Sequence, residues 1–160
     1  MSIGAYLGWV TASLILALIL QLLPMPELIA PLRPAWPALV LGFWAYSAPR
    51  VSLLLCAWVT GLCMDVLFGA PLGQHALALA VSCFLLIKLS GLARVLRLWQ
   101  VALALLPAWI SYAFLLFWMD GTTGHGADPL ERWLPVVTTA ILWPLLASLW
   151  RQARRRSESH

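Results

Sequence analysis

Along the chain, long apolar runs are separated by short polar breaks, and within a run apolar and polar residues do not take turns at every second position. Measured against about 20 residues for a membrane-crossing helix, the runs predict helical segments near 4–23, 35–48, 51–69, 72–90, 98–119 and 133–150. A membrane β-barrel needs segments of roughly ten residues that alternate in polarity, so a barrel is excluded. Five of the six segments are of comfortable length. The second, AWPALVLGFWAYSA, is bounded by Pro34 and Pro49 and contains Pro37. It reaches only about 21 Å at 1.5 Å per residue. A re-entrant or tilted course is therefore open to it beside a spanning one.

Composition sharpens this picture. Hydrophobic residues make up 62% of the 160 positions and charged ones 10%. A soluble fold of this length would have to cover its surface with charge the chain does not possess, whereas lipid accepts apolar surface and demands only that backbone groups pair internally. The expected fold is an all-α polytopic membrane protein, a compact bundle of six transmembrane helices. Residues 1–150 form one transmembrane domain, and 151–160, RQARRRSESH, form a basic tail too short and polar to fold by itself. The longest polar stretch between segments is DGTTGHGADPLER, residues 120–132, and no internal repeat is visible. The first run has no basic residue ahead of it and no small-residue cleavage site after it, so it reads as a retained helix rather than a signal peptide.

Charge orients the bundle. With six spans and a cytoplasmic amino terminus, the inside receives Arg50, Lys88, Arg94, Arg97, Arg151, Arg154, Arg155 and Arg156, and the outside only Arg33 and Arg132. That asymmetry satisfies the positive-inside rule, which a five-span arrangement would break. Glu27, Asp120, Asp128 and Glu131 also fall outside. Trp9, Trp36, Trp99, Trp118, Trp133 and Trp150 lie near predicted segment ends, where indole rings favour the headgroup level. Trp44, Trp58, Trp109 and Trp143 lie deeper and read as lipid-facing or core residues. Cys56, Cys63 and Cys83 fall inside segments without metal-ligand spacing and read as small hydrophobes.

Enzyme chemistry finds no constellation. The chain has no Gly-rich phosphate loop followed by Lys, no His-Glu-x-x-His, no Gly-x-Ser-x-Gly and no pair of carboxylates on one helix face. Neither catalysis, a cofactor nor a nucleic-acid partner is expected. His125, between Asp120 and Asp128, sits in a Gly-rich loop that makes a poor metal cage. Arg151, Arg154, Arg155 and Arg156 serve as a topology anchor or as contacts to acidic lipid headgroups, at about 1 kcal/mol each near an anionic surface.

One carboxylate stands out. Asp65 lies within an apolar run, GLCMDVLFGAPLG, with Gly61 four residues before it and Gly69 and Gly73 following at the same step. At the centre of a span a carboxylate costs roughly 2.5–3.5 kcal/mol, so something must compensate for it. Gln74 and His75, beyond the GAPLG turn, come to a similar depth and can donate to it. Gly61, Asp65 and Gly69 fall on one helix stripe, which would let a neighbouring backbone approach closely. Two roles are open to Asp65 and its neighbours: a tie between the third and fourth helices, or a docking site for a partner's transmembrane helix.

GLCMDVLFGAPLGQHALALA, residues 61–80, resembles the signature region of the MreD family, in which a Gly-x-x-x-Asp step, a small or Gly-rich turn and a Leu-Gly pair join two central helices. Chain length, the Pro-bearing connector PELIAPLRPAWPALVL and the short basic tail are similar as well. The resemblance implies a non-enzymatic scaffold of the bacterial inner membrane that helps maintain rod shape. Its implied direct partner is MreC; through it come MreB, RodA and the elongation transpeptidase of peptidoglycan synthesis, in a hetero-oligomer surrounded by membrane lipid. It also implies a bundle similar to the substrate-binding subunits of energy-coupling-factor transporters, and Gly61, Asp65, Gly69 and Gly73 match its signature positions. The alternative is a small-solute-binding transporter subunit of that type, for which Asp65, Gln74, His75, Gln21, Thr60, Ser82, Ser111 and Tyr112 are the available polar residues.

Overall fold

In an apolar solvent a backbone must satisfy its own N–H and C=O groups, and a continuous helix does so within one segment. The computed structural model accordingly consists of helices, and its described residues are 3–26, 30–93, 96–123 and 129–157. They form α1 (Ile3–Leu22), α2 (Trp36–Ser47), α3 (Ser52–Phe68), α4 (Gln74–Ala93), α5 (Leu98–Thr123) and α6 (Pro129–Ser157), with one 3-10 turn at Ala30–Leu32 before α2. No strand occurs among the described residues. α1, the Gln74–Leu92 stretch of α4 and the Trp99–Gly121 stretch of α5 are long and apolar enough to cross a membrane. α3 and the Trp133–Ser148 stretch of α6 are shorter apolar helices.

The observed ends follow the predicted segments closely, except that α5 and α6 are longer than expected. α5 continues to Thr123, so Asp120 belongs to a helix and not to the polar loop expected from residue 120. α6 begins at Pro129, ahead of the start expected at 133, and continues through the boundary expected at 150 as far as Ser157. Helical bonds already running along a segment propagate into polar residues more readily than they start anew, because nucleation is the costly step.

The short second segment is the centre of the bundle. α2 has 12 residues, or about 18 Å of helix, and none of them is exposed. It touches α1, α3, α4 and α6. Small residues make this possible: a Cβ added to Gly42 would stand 3.3 Å from the Trp143 ring and 3.7 Å from that of Trp109. The two fully buried indoles meet edge to face at 5.7 Å, and Tyr46 meets Trp143 at 6.1 Å. The outer surface is apolar in turn, with Trp9, Leu55, Val59, Val66, Leu103 and Ile141 all exposed. Trp109 and Trp143 thus serve as core residues, whereas Trp58 is partly exposed and Trp44 donates from Nε1 to Ser13 Oγ at 2.9 Å. Cys83 is buried and Cys56 and Cys63 are less so, all three without a disulfide.

Candidate functional site

The first N–H groups of any helix lack an intrahelical acceptor and carry the positive end of the helix dipole. α4 has no acidic residue in its first turn, and the missing acceptor comes from the preceding helix. Asp65, 1% exposed near the end of α3, accepts the Gly73 N–H on Oδ2 at 2.8 Å and the His75 N–H on Oδ1 at 2.7 Å. His75 Nδ1 lies 2.9 Å from the same Oδ1. Asp65 is therefore an N-cap supplied across a helix–helix junction. A buried carboxylate so surrounded is compensated by backbone dipoles as well as by its histidine.

The glycines around it have three separate reasons. A Cβ on Gly61 would fall 2.3 Å from Ala76 Cα and 2.5 Å from Ala76 N, so α3 and α4 meet backbone to backbone one turn before Asp65. Gly69 does not share in that contact, contrary to the stripe expected from its spacing: α3 ends at Phe68, and a Cβ on Gly69 would have nothing within 4 Å. Gly69 instead takes φ 62° as the left-handed C-cap, its N–H returning to the Asp65 carbonyl, which also accepts from Ala70. Gly73, at φ 100°, delivers its N–H to the carboxylate.

Gln74 differs from expectation. Its amide does not turn to Asp65 but donates from Nε2 to Asp120 Oδ1 on α5 at 2.6 Å. The reason is geometric: Gln74 and His75 are consecutive at a helix start, and neighbours in a helix do not face the same way. His75 faces α3 and Gln74 faces α5. Asp120 is buried, as Gln74 is. In the chain's pattern the one sign of this pair is a carboxylate at the end of an apolar run, expected in the polar loop from residue 120.

Arg33 is the second residue whose role the sequence did not disclose. Its two terminal nitrogens donate to the Gln21 and Leu23 carbonyls, while α1 has no basic residue in its own last turn. A cation there completes the orphan carbonyls of the helix end and complements its dipole. Gln21 Oε1 accepts the Trp36 N–H at 3.3 Å, and Thr139 Oγ1 on α6 accepts the Ala35 N–H at 3.1 Å. Asp65, Asp120, Arg33, Gln74 and His75 thus gather at the end of the bundle where α1, α3 and α5 finish and α2, α4 and α6 begin.

Of the remaining predicted residues, Thr60 and Ser82 are buried within α3 and α4, Ser82 donating to the Ala78 carbonyl at 2.8 Å. Ser111 donates to the Ala108 carbonyl at 2.7 Å. Tyr112 faces the cavity at the Asp120 end. His125, Glu27, Asp128 and Arg94 lie outside the described residues, as do the side chains of Glu131, Arg132, Arg151, Arg154, Arg155 and Arg156. Among the described residues no three His, Cys, Asp or Glu side chains gather as metal ligands.

A helical bundle with an apolar exterior, whose polar residues tie helix ends together, defines a helical membrane protein. The family model described as rod shape-determining protein MreD matches residues 3–153, and the chain belongs to that family. The rod shape-determining protein MreD of Haemophilus influenzae is 29% identical over 156 residues, covering 96% of each chain. No solved structure matches the chain. The chain is accordingly a rod-shape-determining membrane protein, from a family of structural proteins rather than a known enzyme family.

Proposed function

We propose that this chain is a non-enzymatic scaffold of the cell-elongation machinery in the bacterial inner membrane. In this role it binds MreC directly and, through MreC, supports MreB, RodA and the elongation transpeptidase. Family membership over residues 3–153 is the observation that carries this reading. The bundle crosses the membrane repeatedly with both termini in the cytoplasm. Arg50 follows α2, and Lys88 and Arg97 flank the α4–α5 connection, at the end opposite Asp65; Arg94 and four more arginines after residue 150 add to the basic residues expected inside. Arg33, an exception to that bias, caps α1. Its placement reflects helix-end chemistry more than orientation.

Asp65 acts as internal glue in this reading, because its oxygens are engaged by Gly73 and His75 and the residue is buried. The partner's helix then docks on the apolar exterior, where lipid is the competitor and close packing decides. Purification of tagged protein in mild detergent from its own membranes, wild type beside Asp65→Asn, tests both statements. Asparagine keeps the oxygen that faces His75, so MreC and the synthases are expected with both proteins, in proportion to the amount in the membrane. Loss of MreC at normal membrane levels of Asp65→Asn would make Asp65 the docking site. Recovery of an ATPase pair with a coupling membrane subunit would replace the scaffold by a solute-binding transporter component.

A further inference from the structure

α6 does not stop where its apolar residues stop. Its apolar part is Trp133–Ser148, and the same helix runs on to Ser157. Sharp bends in helices arise at proline, at glycine or at an inserted residue, and after Pro144 the helix contains neither proline nor glycine. The residues beyond Ser148 therefore continue the axis of the last apolar turn instead of folding down along the membrane surface. At 1.5 Å per residue, position 151 stands about 4–5 Å beyond Ser148 and positions 154–156 about 9–12 Å beyond it. The usual tilt of about 20° lowers these heights only slightly. A headgroup layer is about 5–8 Å deep on each side of the hydrocarbon, so positions 154–156 pass through it into water.

The chemistry of these positions goes beyond anchoring. Arg151, Arg154, Arg155 and Arg156 fall within two helical turns, no lysine is among them, and the first acidic residue after them is Glu158. An anchor needs its charge at headgroup level, where Arg151 stands and where Arg50, Lys88 and Arg97 already serve the same end of the bundle. Lysine and arginine suit an anionic lipid surface alike, whereas only the arginine fork pairs two N–H groups with one carboxylate. Nucleic acid is a poorer match, since binders of that kind commonly meet roughly six to ten phosphates. We propose that the α6 extension, residues 151–157, is a docking arm for an acidic segment of a soluble cytoplasmic protein, with Arg154, Arg155 and Arg156 as the carboxylate-binding residues. This rests on the orientation given above, in which the carboxyl terminus is cytoplasmic.

The full chain is placed in nanodiscs of neutral phosphatidylcholine, and binding of a fluorescent polyglutamate peptide is followed by anisotropy at physiological salt. Saturable binding is expected, roughly tenfold weaker when Arg154, Arg155 and Arg156 are all replaced by glutamine. Replacing the same three by lysine keeps the charge and removes the forks, so weaker binding than wild type is expected there too. Trypsin is expected to cut at these arginines equally fast in neutral discs and in discs containing anionic phosphatidylglycerol. Protection by phosphatidylglycerol would make lipid headgroups the occupant, and an RNA of equal charge that binds more tightly than the peptide would make it nucleic acid. Either result, or a glutamine or lysine variant equal to wild type, would overturn the proposal. Orientation is checked separately: a membrane-impermeant maleimide should label Ser159→Cys in opened but not in sealed spheroplasts, above the signal of the parent chain. Labelling in sealed spheroplasts would overturn the orientation, and with it a cytoplasmic partner, whatever the peptide does.

Discussion

Gly61 and Ala76 bring α3 and α4 together at backbone distance, a Cβ on Gly61 falling 2.3 Å from Ala76 Cα. Nothing at that position can yield except the helices themselves. Gly61→Ala is therefore expected to destabilise the protein by about 1–3 kcal/mol, the usual range for overpacking. Gly8→Ala, where a Cβ would have nothing within 4 Å, leaves thermal unfolding in detergent unchanged. Equal melting temperatures for the two variants would contradict the close crossing.

The Asp65 cap predicts a graded series. Asp65→Ala leaves the N–H groups of Gly73 and His75 without acceptors, a loss of about 2–6 kcal/mol at ~1–3 for each orphan. Asp65→Asn keeps an oxygen toward His75 and loses about 1–3 kcal/mol at Gly73. His75→Ala removes only the ring contact, so it is the milder single change relative to Asp65→Ala. A thermal-unfolding cycle over Asp65→Ala and His75→Ala should show a coupling of about 0.5–3 kcal/mol. Simple additivity would mean that the ring contact at 2.9 Å contributes nothing.

Gln74 and Asp120 should fail singly and recover together. Asp120→Leu takes the acceptor from the buried Gln74 amide, at about 1–3 kcal/mol for the orphaned donor. Gln74→Leu in the same chain removes the orphan as well, and the double variant is expected to unfold above the Asp120→Leu single variant. A double variant less stable than both single ones would show that Asp120 acts mainly through other contacts.

Arg33 predicts a local effect. Arg33→Gln withdraws the cation from the α1 carbonyls of Gln21 and Leu23, worth about 0.3–1 kcal/mol at a helix end. Hydrogen exchange should quicken at the last turn of α1 and stay unchanged in the middle of α4. Uniform quickening over the whole chain would point to a global role instead.

The chain's own pattern determined that it is helical, how many helices it has and nearly where each begins and ends. Run length against a hydrocarbon layer is a local property, and a helix satisfies its backbone without help from elsewhere. It also determined that Asp65 needs compensation and that His75 is in reach to give it. Tertiary structure decided what the numbering could not reveal. The backbone of α4, more than a side chain, holds the Asp65 carboxylate. Gln74 turns to Asp120, which joins α5 instead of the loop. Arg33 reaches back to α1, and the shortest helix occupies the centre. Each of these depends on which helix ends meet in space. That is set by the fit of small residues such as Gly42 and Gly61 against large or bare neighbours, and hydrophobic periodicity carries no record of that fit.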